Sequence, residues 1–358
     1  MEYKDTLSNS ENGTYTAIGL MSGTSLDGLD VAVCEFTCNP TWSGCILQFK
    51  MFDFPEGLQD ELKISRSLSA EKLWKLDKRW AHFAAECVSQ ISADLLPFVQ
   101  VVSSHGHTVF HNPQEGYSVQ IGSGAVLASQ TNIPVVCDFR SLDIAYGGQG
   151  APLVPFVDSV LFAEYTACLN LGGFANISVL PQAWDIGVCN NLLNLLAREK
   201  ELQYDSEGKL AKSGKTIVDL LDELLSLNYH VLAPPKSLGV EWMDTDLCPL
   251  LEKYAHHSLE DRMRTAVEYI AITIVNDCPK SGVILVTGGG SFNCFLIQRM
   301  NELSHGVEFY LPESDMINGK EAFAFAFLGL QRWLGKSNVL KSATGASKAS
   351  SGGAVWLP

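Results

Sequence analysis

Residues 19–32 read Gly19-Leu-Met-Ser-Gly-Thr-Ser-Leu-Asp-Gly-Leu-Asp-Val-Ala32, a loop of small and hydroxyl-bearing residues between two apolar runs. Small side chains from Ser22 to Ser25 let backbone N–H groups approach an anion closely, and Gly28 permits a tight turn. Asp27 repels a phosphate but can hold a divalent cation or a water beside one. The stretch predicts either a phosphate-binding hairpin or an ordinary β-hairpin loop, which also favours glycine, serine and aspartate.

The segments around this loop predict an α/β arrangement. Residues 15–20 and 28–36 have the composition of strands, and apolar residues recur every three or four positions from Leu73 to Leu95, as in an amphipathic helix. Residues 98–103 then predict a buried strand. The histidine-containing segment that follows would lie at the carboxyl end of this strand, where open α/β sheets bind ligands.

The pattern of a strand followed by glycine returns in the second half of the chain. Residues 166–171 predict a strand that leads into Gly172 and Gly173, and residues 283–287 lead into three glycines and a helical pattern over 292–303. Such junctions suit a nucleotide. Between them, the sequence predicts a strand over residues 176–180 and a small-residue turn over residues 184–190 before an apolar helix.

The length of 358 residues predicts two domains, because it exceeds what most single cores support. The glycine- and proline-rich residues 146–155 are the predicted crossing between them. We therefore expect an N-terminal domain of residues 13–145, joined by C-terminal residues 335–358, and a C-terminal domain of residues 146–334.

The charge balance argues against nucleic acid and membrane partners. The chain has 25 basic and 40 acidic residues, a net charge of −15, which repels both kinds of anionic surface. Residues 1–12 lack the apolar core of a signal peptide, and no run of 18 apolar residues occurs, so we expect a cytoplasmic protein. The ten cysteines lie mostly in apolar runs, which predicts reduced, buried thiols.

Asp185 is the candidate general base. It lies between Trp184 and Ile186, where partial desolvation would raise its affinity for a proton. An aspartate that caps a turn is the alternative. The common loops GxxxxGKS/T and GxGxxG and the nucleophile motif GxSxG are absent from the sequence, so none of them explains the glycine-rich segments.

Other polar side chains offer further candidates with open alternatives. Arg140 follows a predicted strand and could clamp a carboxylate or phosphate, or form a surface ion pair. Glu321 precedes the apolar residues 322–328, where its default role is to favour a helix N-terminus. His105, His107 and His111 could suggest a metal, but no carboxylate is equally placed, so loop histidines that hydrogen-bond to backbone or a polar ligand are favoured.

Several longer motifs occur together along the chain. They are Gly19-Leu-Met-Ser-Gly-Thr-Ser-Leu-Asp-Gly-Leu-Asp30, Ser104-His-Gly-His-Thr-Val-Phe-His-Asn-Pro113, Gln120-Ile-Gly122, Asp138-Phe-Arg140, Gly147-Gly-Gln-Gly-Ala-Pro-Leu-Val-Pro155, Asn170-Leu-Gly-Gly-Phe-Ala-Asn-Ile177, Gly288-Gly-Gly290 with Asn293, Glu321-Ala-Phe-Ala-Phe-Ala326 and Thr344-Gly-Ala346. In order and spacing they resemble the motifs of the anhydro-N-acetylmuramic acid kinases over nearly the whole chain.

The resemblance implies a fold and a reaction. The fold is that of the actin, Hsp70 and sugar-kinase superfamily, a two-domain α/β actin-like ATPase (ribonuclease H-like) fold with a central interdomain cleft. The reaction is the hydrolytic opening of a 1,6-anhydro sugar with transfer of the γ-phosphate of ATP to O6, in the recycling of cell-wall sugars. The implied partners are the amino sugar and ATP, and a homodimer is a further expectation.

The resemblance also implies roles for individual residues. Asp185 corresponds to the catalytic base, and Arg140 and Glu321 to residues that contact the sugar. The expected ATP-binding residues are Gly23, Thr24, Ser25, Leu26, Asp27, Gly28, Leu29, Asp30, Gly172, Gly173, Gly187, Gly288, Gly289 and Gly290. Mg²⁺ is expected because phosphoryl transfer needs a cation on the β- and γ-oxygens, although no metal ligand is assigned.

One motif departs from the pattern of the family. The usual Asp-Thr-Gly-Pro-Gly-Asn is Asp185-Ile-Gly-Val-Cys-Asn190 in this chain, so a hydroxyl, a proline and a glycine are replaced. A bulkier turn would shift the phosphates or narrow the site. We therefore expect any change to affect rate and substrate choice more than the class of reaction; a nucleotide-dependent sensor and a kinase for another amino sugar are the alternatives.

Overall fold

The computed structural model describes residues 12–23, 26, 28–180, 182–234 and 236–358. The strands are β1 Gly13–Met21, β2 Leu29–Cys38, β3 Trp42–Phe52, β4 Val99–Ser104, β5 His107–Asn112, β6 Tyr117–Ile121, β7 Val135–Cys137, β8 Ala167–Leu171, β9 Phe174–Val179, β10 Gln182–Val188, β11 Gly282–Thr287, β12 Val307–Tyr310 and β13 Ala354–Trp356. The α-helices are α1 Leu58–Lys63, α2 Ala70–Ser89, α3 Gly124–Thr131, α4 Ser141–Ala145, α5 Val154–Leu161, α6 Asn190–Ala197, α7 Lys209–Ser213, α8 Val218–Leu225, α9 Val240–Trp242, α10 Cys248–Lys253, α11 Leu259–Asp277, α12 Cys294–Leu303, α13 Ser314–Trp333 and α14 Lys341–Thr344.

The chain forms two compact units. The first runs to Leu161 and resumes over Gly319–Pro358, and the second is Phe162–Asn318. These limits differ from the predicted boundaries after residues 145 and 334. The reason is packing within the first unit, where α5 lies against β3 and the ammonium group of Lys320 is 2.9 Å from the carboxylate of Asp158.

The first unit is built on a six-stranded sheet in the order β13-β7-β4-β1-β2-β3. Strands β1, β2 and β3 form an antiparallel meander. Strand β4 is parallel to β1, and β7 is parallel to β4. Strand β13 adds an antiparallel edge to β7, and β5 and β6 form a separate hairpin.

The second unit repeats this topology. Its five-stranded sheet has the order β10-β9-β8-β11-β12. Strands β8, β9 and β10 form the antiparallel meander, β11 is parallel to β8, and β12 is parallel to β11. The two units therefore have related α/β cores, which confirms the predicted fold class.

Most predicted elements are confirmed, with two corrections. The periodic segment beginning near Leu73 forms α2, whose residues Leu76, Trp80 and Ala84 are buried, but the helix ends at Ser89 rather than near Leu95. Residues 184–190 do not form a turn. Most of them belong to β10, which pairs with β9, because cross-strand hydrogen bonding overrides the turn propensity of Asp185 and Gly187.

Helix α13 lies unusually close to the sheet of the first unit. A Cβ atom on Gly19 of β1 would lie 1.8 Å from the carbonyl oxygen of Ala322, and one on Gly329 would lie 2.3 Å from the Ser103 hydroxyl. The Ser103 hydroxyl donates a hydrogen bond to the carbonyl of Phe325. Glycine is therefore required where the helix crosses β1, because the clash is with rigid backbone.

We predict that Gly19→Ala lowers the free energy of unfolding by about 2 kcal/mol or more, because the added methyl group forces α13 away from β1. Urea denaturation followed by circular dichroism measures this change. Gly13→Ala is the matched control on the same strand, since the nearest atoms to its Cβ belong to the flexible side chain of Tyr15, at 3.0 Å and beyond, and not to backbone. Equal effects of the two substitutions would contradict the packing argument.

Candidate functional site

The turn between β8 and β9 is held by the start of α6. The backbone N–H groups of Cys189 and Asn191 donate to the carbonyl of Gly173 at 2.9 and 3.1 Å, and that of Asn190 donates to the carbonyl of Gly172 at 3.1 Å. A Cβ atom on Gly173 would lie 2.6 Å from the Asn191 side chain. The predicted residues Gly172 and Gly173 therefore form a tight turn at the carboxyl end of β8.

The glycines after β11 lie against the same turn. Gly288 has φ 85°, and a Cβ atom there would lie 2.4 Å from Oδ1 of Asn170. A Cβ atom on Gly290 would lie 2.8 Å from the side chain of Leu171, whose carbonyl accepts a hydrogen bond from the Asn190 amide at 2.9 Å. The structure thus brings the glycines of β8 and β11 together around Asn190, at the strand ends where α/β sheets bind ligands.

Asp185 belongs to the same polar row of the sheet. In the strand registers Asp185 is opposite Asn176, Asn176 is opposite Asn170, and Asn170 is opposite Thr287. Asn170 borders both glycine turns, since its side chain approaches Gly172 as well as Gly288. This cross-strand row connects the predicted base to the glycines. The sequence alone did not single out Asn170 and Asn190 as residues that border the glycine turns, although both lie in its motifs.

Asp185 is partly buried, and its carboxylate is held by backbone from a distant part of the chain. Its Oδ2 accepts a hydrogen bond from the N–H of Leu238 at 2.9 Å. Burial raises the pKa of Asp185, and the Leu238 N–H opposes this effect. The turn-capping alternative is wrong because Asp185 lies inside β10 and its partner is far along the chain.

The three replaced residues of the Asp185–Asn190 motif point into the core. Ile186, Val188 and Cys189 are each at most 1% exposed and belong to the main apolar cluster of the second unit. Gly187 differs, because a Cβ atom there would meet its nearest neighbour, His230, at an ordinary 3.5 Å. Packing within the unit therefore explains why positions 186, 188 and 189 hold apolar residues. It does not explain why position 187 is a glycine.

Arg140 lies in the first unit, just before α4, and is tied to its surroundings. Its guanidinium donates to the carbonyl of Gly150 at 2.6 Å and to Nε2 of His105 at 2.8 Å. Burial lowers the pKa of Arg140 to about 10, and the charge of Glu321 opposes this shift. A surface ion pair does not account for these contacts, and Glu321 lies inside α13 rather than at its N-terminus.

The loop histidines make hydrogen bonds within the first unit. Nδ1–H of His105 donates to the carbonyl of Gly106 at 3.0 Å, which leaves Nε2 to accept from Arg140. Nδ1 of His107 lies 3.2 Å from the Ser22 hydroxyl, and Nδ1 of His111 lies 3.0 Å from the hydroxyl of Ser118. These contacts are of the kind that the hydrogen-bonding interpretation of the loop histidines predicts. Among the described residues, no group of three or more His, Cys, Asp and Glu could hold a metal ion.

The loop between β1 and β2 is described only in part, because Thr24, Ser25 and Asp27 lie outside the described residues. The carbonyl of Leu26 accepts a hydrogen bond from the Gln59 amide at 2.7 Å. A Cβ atom on Gly28 would lie 2.5 Å from the carbonyl of Phe52, so glycine is required there by packing. The other described members of the predicted phosphate loop are Gly23, Leu29 and Asp30, of which the last two begin β2.

The repeated sheet topology and the glycine turns at the strand ends define a protein of the actin-like ATPase class. The sequence model of the anhydro-N-acetylmuramic acid kinases matches residues 15–358. The chain therefore belongs to the anhydro-N-acetylmuramic acid kinase family, as the motifs predicted.

Individual relatives agree with this assignment. The chain is 36% identical to the anhydro-N-acetylmuramic acid kinase of Actinobacillus pleuropneumoniae serotype 7, with 95% of this chain and 98% of the relative covered. It is also 36% identical to the enzyme of that name from Nitrosospira multiformis and 34% identical to that from Sulfurovum sp., each with 95% of this chain and 98% of the relative covered.

Solved structures give a weaker likeness. Component A of the (R)-2-hydroxyglutaryl-CoA dehydratase of Acidaminococcus fermentans aligns with a TM-score of 0.45 and 11% identity, covering 90% of this chain and 100% of that one.

In the part of the chain that the structure describes, no helix is both long enough and apolar enough to cross a membrane. All ten cysteines lie in that part, none of them forms a disulfide, and six are buried.

The buried histidines predict a pH dependence of stability. Burial lowers the pKa of His105 to about 3, with the Arg140 charge adding to the effect, and lowers that of His107 to about 4, both from 6.5. At a pH below 6.5 but above the lowered pKa of each histidine, the unfolded chain binds more protons than the folded chain. The free energy of unfolding therefore falls as the pH decreases through this range, by at most about 1.4 kcal/mol per pH unit for each histidine.

We predict that His107→Asn makes this decline shallower, because it removes one titrating group while keeping a polar atom near Ser22. Urea denaturation at a series of pH values from neutral to mildly acidic measures the slope. His82→Asn is the matched control, since His82 is exposed on α2 and should leave the slope unchanged. A His107→Asn slope equal to that of the unmodified protein would contradict the argument.

Proposed function

We propose that this protein is an ATP-dependent kinase that opens the 1,6-anhydro ring of anhydro-N-acetylmuramic acid with water and phosphorylates the freed O6. The products are N-acetylmuramic acid 6-phosphate and ADP, and the corresponding role is the recycling of cell-wall sugars. The observation that carries the proposal is Asp185, a partly buried carboxylate with a raised pKa in the cross-strand row that reaches both glycine turns. Family membership supports the identity of the substrates.

Asp185 acts as the general base in this proposal. It accepts a proton from the water whose oxygen bonds to the anomeric carbon, and the bond from that carbon to O6 breaks. O6 then bonds to the γ-phosphorus of ATP as ADP leaves. A raised pKa suits this role, because a base is most effective when its pKa approaches the working pH.

The glycine turns of the second unit are the proposed nucleotide site. Turns without side chains let backbone N–H groups approach phosphate oxygens closely. Gly187 supports this use, since packing within the unit leaves ordinary room for a side chain there. The other proposed ATP-binding residues are Gly23, Thr24, Ser25, Leu26, Asp27, Gly28, Leu29, Asp30, Gly172, Gly173, Gly288, Gly289 and Gly290.

Mg²⁺ is proposed to arrive with ATP rather than in a protein cage. Mg²⁺ commonly keeps several waters and binds through substrate phosphates. That coordination agrees with the finding that the described residues contain no cluster of His, Cys, Asp and Glu able to hold a metal. The ion would neutralise charge on the transferring phosphoryl group.

Arg140 and Glu321 are the proposed sugar contacts. Two N–H groups of Arg140 are committed to Gly150 and His105, which fix the plane of the guanidinium. Its Nε–H is buried without a hydrogen-bond partner among the described residues. A buried donor of this kind is costly unless a ligand satisfies it, which supports recognition of a polar sugar group.

The comparisons do not favour the two alternatives, a nucleotide-dependent sensor of the same fold and a kinase for another amino sugar. The cytoplasmic location and a homodimer remain proposals.

The proposal is tested by incubating the protein with ATP, Mg²⁺ and 1,6-anhydro-N-acetylmuramic acid in ¹⁸O-labelled water. We expect ADP release and a phosphorylated sugar that carries one ¹⁸O atom, because the water oxygen ends on the anomeric carbon. Mass spectrometry of the sugar gives the answer. ATP binding with no sugar product would reject the proposed reaction, and a phosphorylated product without ¹⁸O would reject the hydrolytic step.

We predict that Asp185→Asn lowers kcat by about 100-fold or more, the scale expected for loss of a general base, and leaves ATP affinity nearly unchanged. Coupled ADP release gives kcat, and calorimetry gives the affinity. Asp222→Asn, at an exposed position of α8, is the matched control and should be fully active. Undiminished turnover of Asp185→Asn would reject Asp185 as the base.

A further inference from the structure

Asp185 is held from outside its sheet by a segment that no motif identified. The Tyr229 hydroxyl donates a hydrogen bond to the Asp185 carbonyl at 2.6 Å, and the Asp185 N–H donates to the carbonyl of Lys236 at 2.9 Å. The N–H of Leu238 donates to the carboxylate itself. We call residues 229–234 and 236–238 the strap.

The position of β10 explains why these bonds matter. Strand β10 is an edge strand of its sheet, and its pairing with β9 is irregular between Asp185 and Gly187. An edge strand leaves one side of its backbone without sheet partners, and an irregular ladder holds its residues less firmly. The strap supplies the missing partners of Asp185, so it decides where the carboxylate lies.

Buried polar contacts anchor the strap. The Lys236 side chain is 5% exposed, and its ammonium group lies 3.6 Å from the carboxylate of Asp277 and 4.8 Å from the centre of the Tyr229 ring. Asp277 also accepts a hydrogen bond from the indole of Trp184, the neighbour of Asp185, at 3.1 Å. The strap is therefore fixed to both α11 and β10.

We propose that the strap, through Tyr229, positions the carboxylate of Asp185 and keeps it under the Leu238 N–H, so that Tyr229 is a positioning residue for the reaction. The inference rests on the proposed function, in which Asp185 is the base. Among the described residues, the Tyr229 hydroxyl hydrogen-bonds to the backbone carbonyl of Asp185 and not to its carboxylate, so its effect on turnover passes through the placement of that residue.

The charged and titratable groups around Asp185 give the proposal a pH signature. Those on the strap are Tyr229, His230 and Lys236, and those on α11 are Tyr269 and Asp277. Burial raises the pKa of Asp185 and the Leu238 N–H lowers it. Where the strap shifts but still covers Asp185, burial is retained while the Leu238 donor is lost, so the pKa of Asp185 rises further and the base becomes protonated at a higher pH.

The test is Tyr229→Phe, which keeps the ring that contacts Lys236 and removes only the hydroxyl. We expect kcat to fall by about 10-fold, the scale of one hydrogen bond, while KM for ATP and for the sugar stays within about twofold. The acidic limb of the kcat–pH profile should move to higher pH by about half a unit or more. Steady-state rates across a pH series measure all three quantities.

Tyr254→Phe is the matched control. Its hydroxyl donates at 2.9 Å to Glu223 of α8, which belongs to neither β10 nor the strap, so the variant should keep the unmodified kcat and profile. Lys236→Met is the second variant, for use if Tyr229→Phe does not fold, and it should shift the acidic limb in the same direction because it releases the strap from Asp277.

Two results would overturn the inference. One is an unchanged kcat of Tyr229→Phe, and the other is a lowered kcat with an acidic limb that does not move, which indicates a structural role only. The proposed function fails separately, through full turnover of Asp185→Asn. An inactive Asp185→Asn with an unaltered Tyr229→Phe would therefore reject the strap while leaving Asp185 as the base.

Discussion

Close approach of backbone to backbone is the constraint on which both units depend. In the first unit α13 can cross β1 only because Gly19 has no side chain, and this crossing carries Glu321 into the same unit as Arg140. In the second unit Gly288 lies against the end of β8 in a conformation that L-residues rarely adopt. The same packing that shapes the cores therefore places glycines at the ends of β8 and β11, as the proposed phosphate site requires.

Burial shifts the pKa of one residue at each of the two candidate sites. It raises the pKa of Asp185 in the second unit, and in the first it keeps His105 neutral, so that its Nε2 can accept a hydrogen bond from Arg140. A protonated imidazole would have no lone pair to offer the guanidinium. The arginine is therefore oriented by a neutral neighbour, and its remaining donors stay available to a ligand.

The departure from the family motif is a matter of core packing. Ile186, Val188 and Cys189 replace smaller or more polar residues, and all three lie in the apolar cluster of the second unit. Of the retained residues, Asp185 faces the strap, Gly187 lies beside His230 of the strap, and Asn190 faces the glycine turns. Alternation along β10 puts Ile186 and Val188 on the face opposite Asp185 and Gly187, whereas Cys189 and Asn190 lie beyond the strand, at the start of α6.

The sequence by itself determined the α/β class, the duplicated strand-to-glycine pattern and the family, because periodicity, glycine placement and motif order are local properties of the chain. It also selected Asp185, Arg140 and the glycines as candidates. Only the tertiary structure decided that residues 184–188 extend into an edge strand, since that depends on pairing with β9. It alone placed the N–H of Leu238 on the Asp185 carboxylate, because contacts between residues so far apart leave no periodic trace in a sequence.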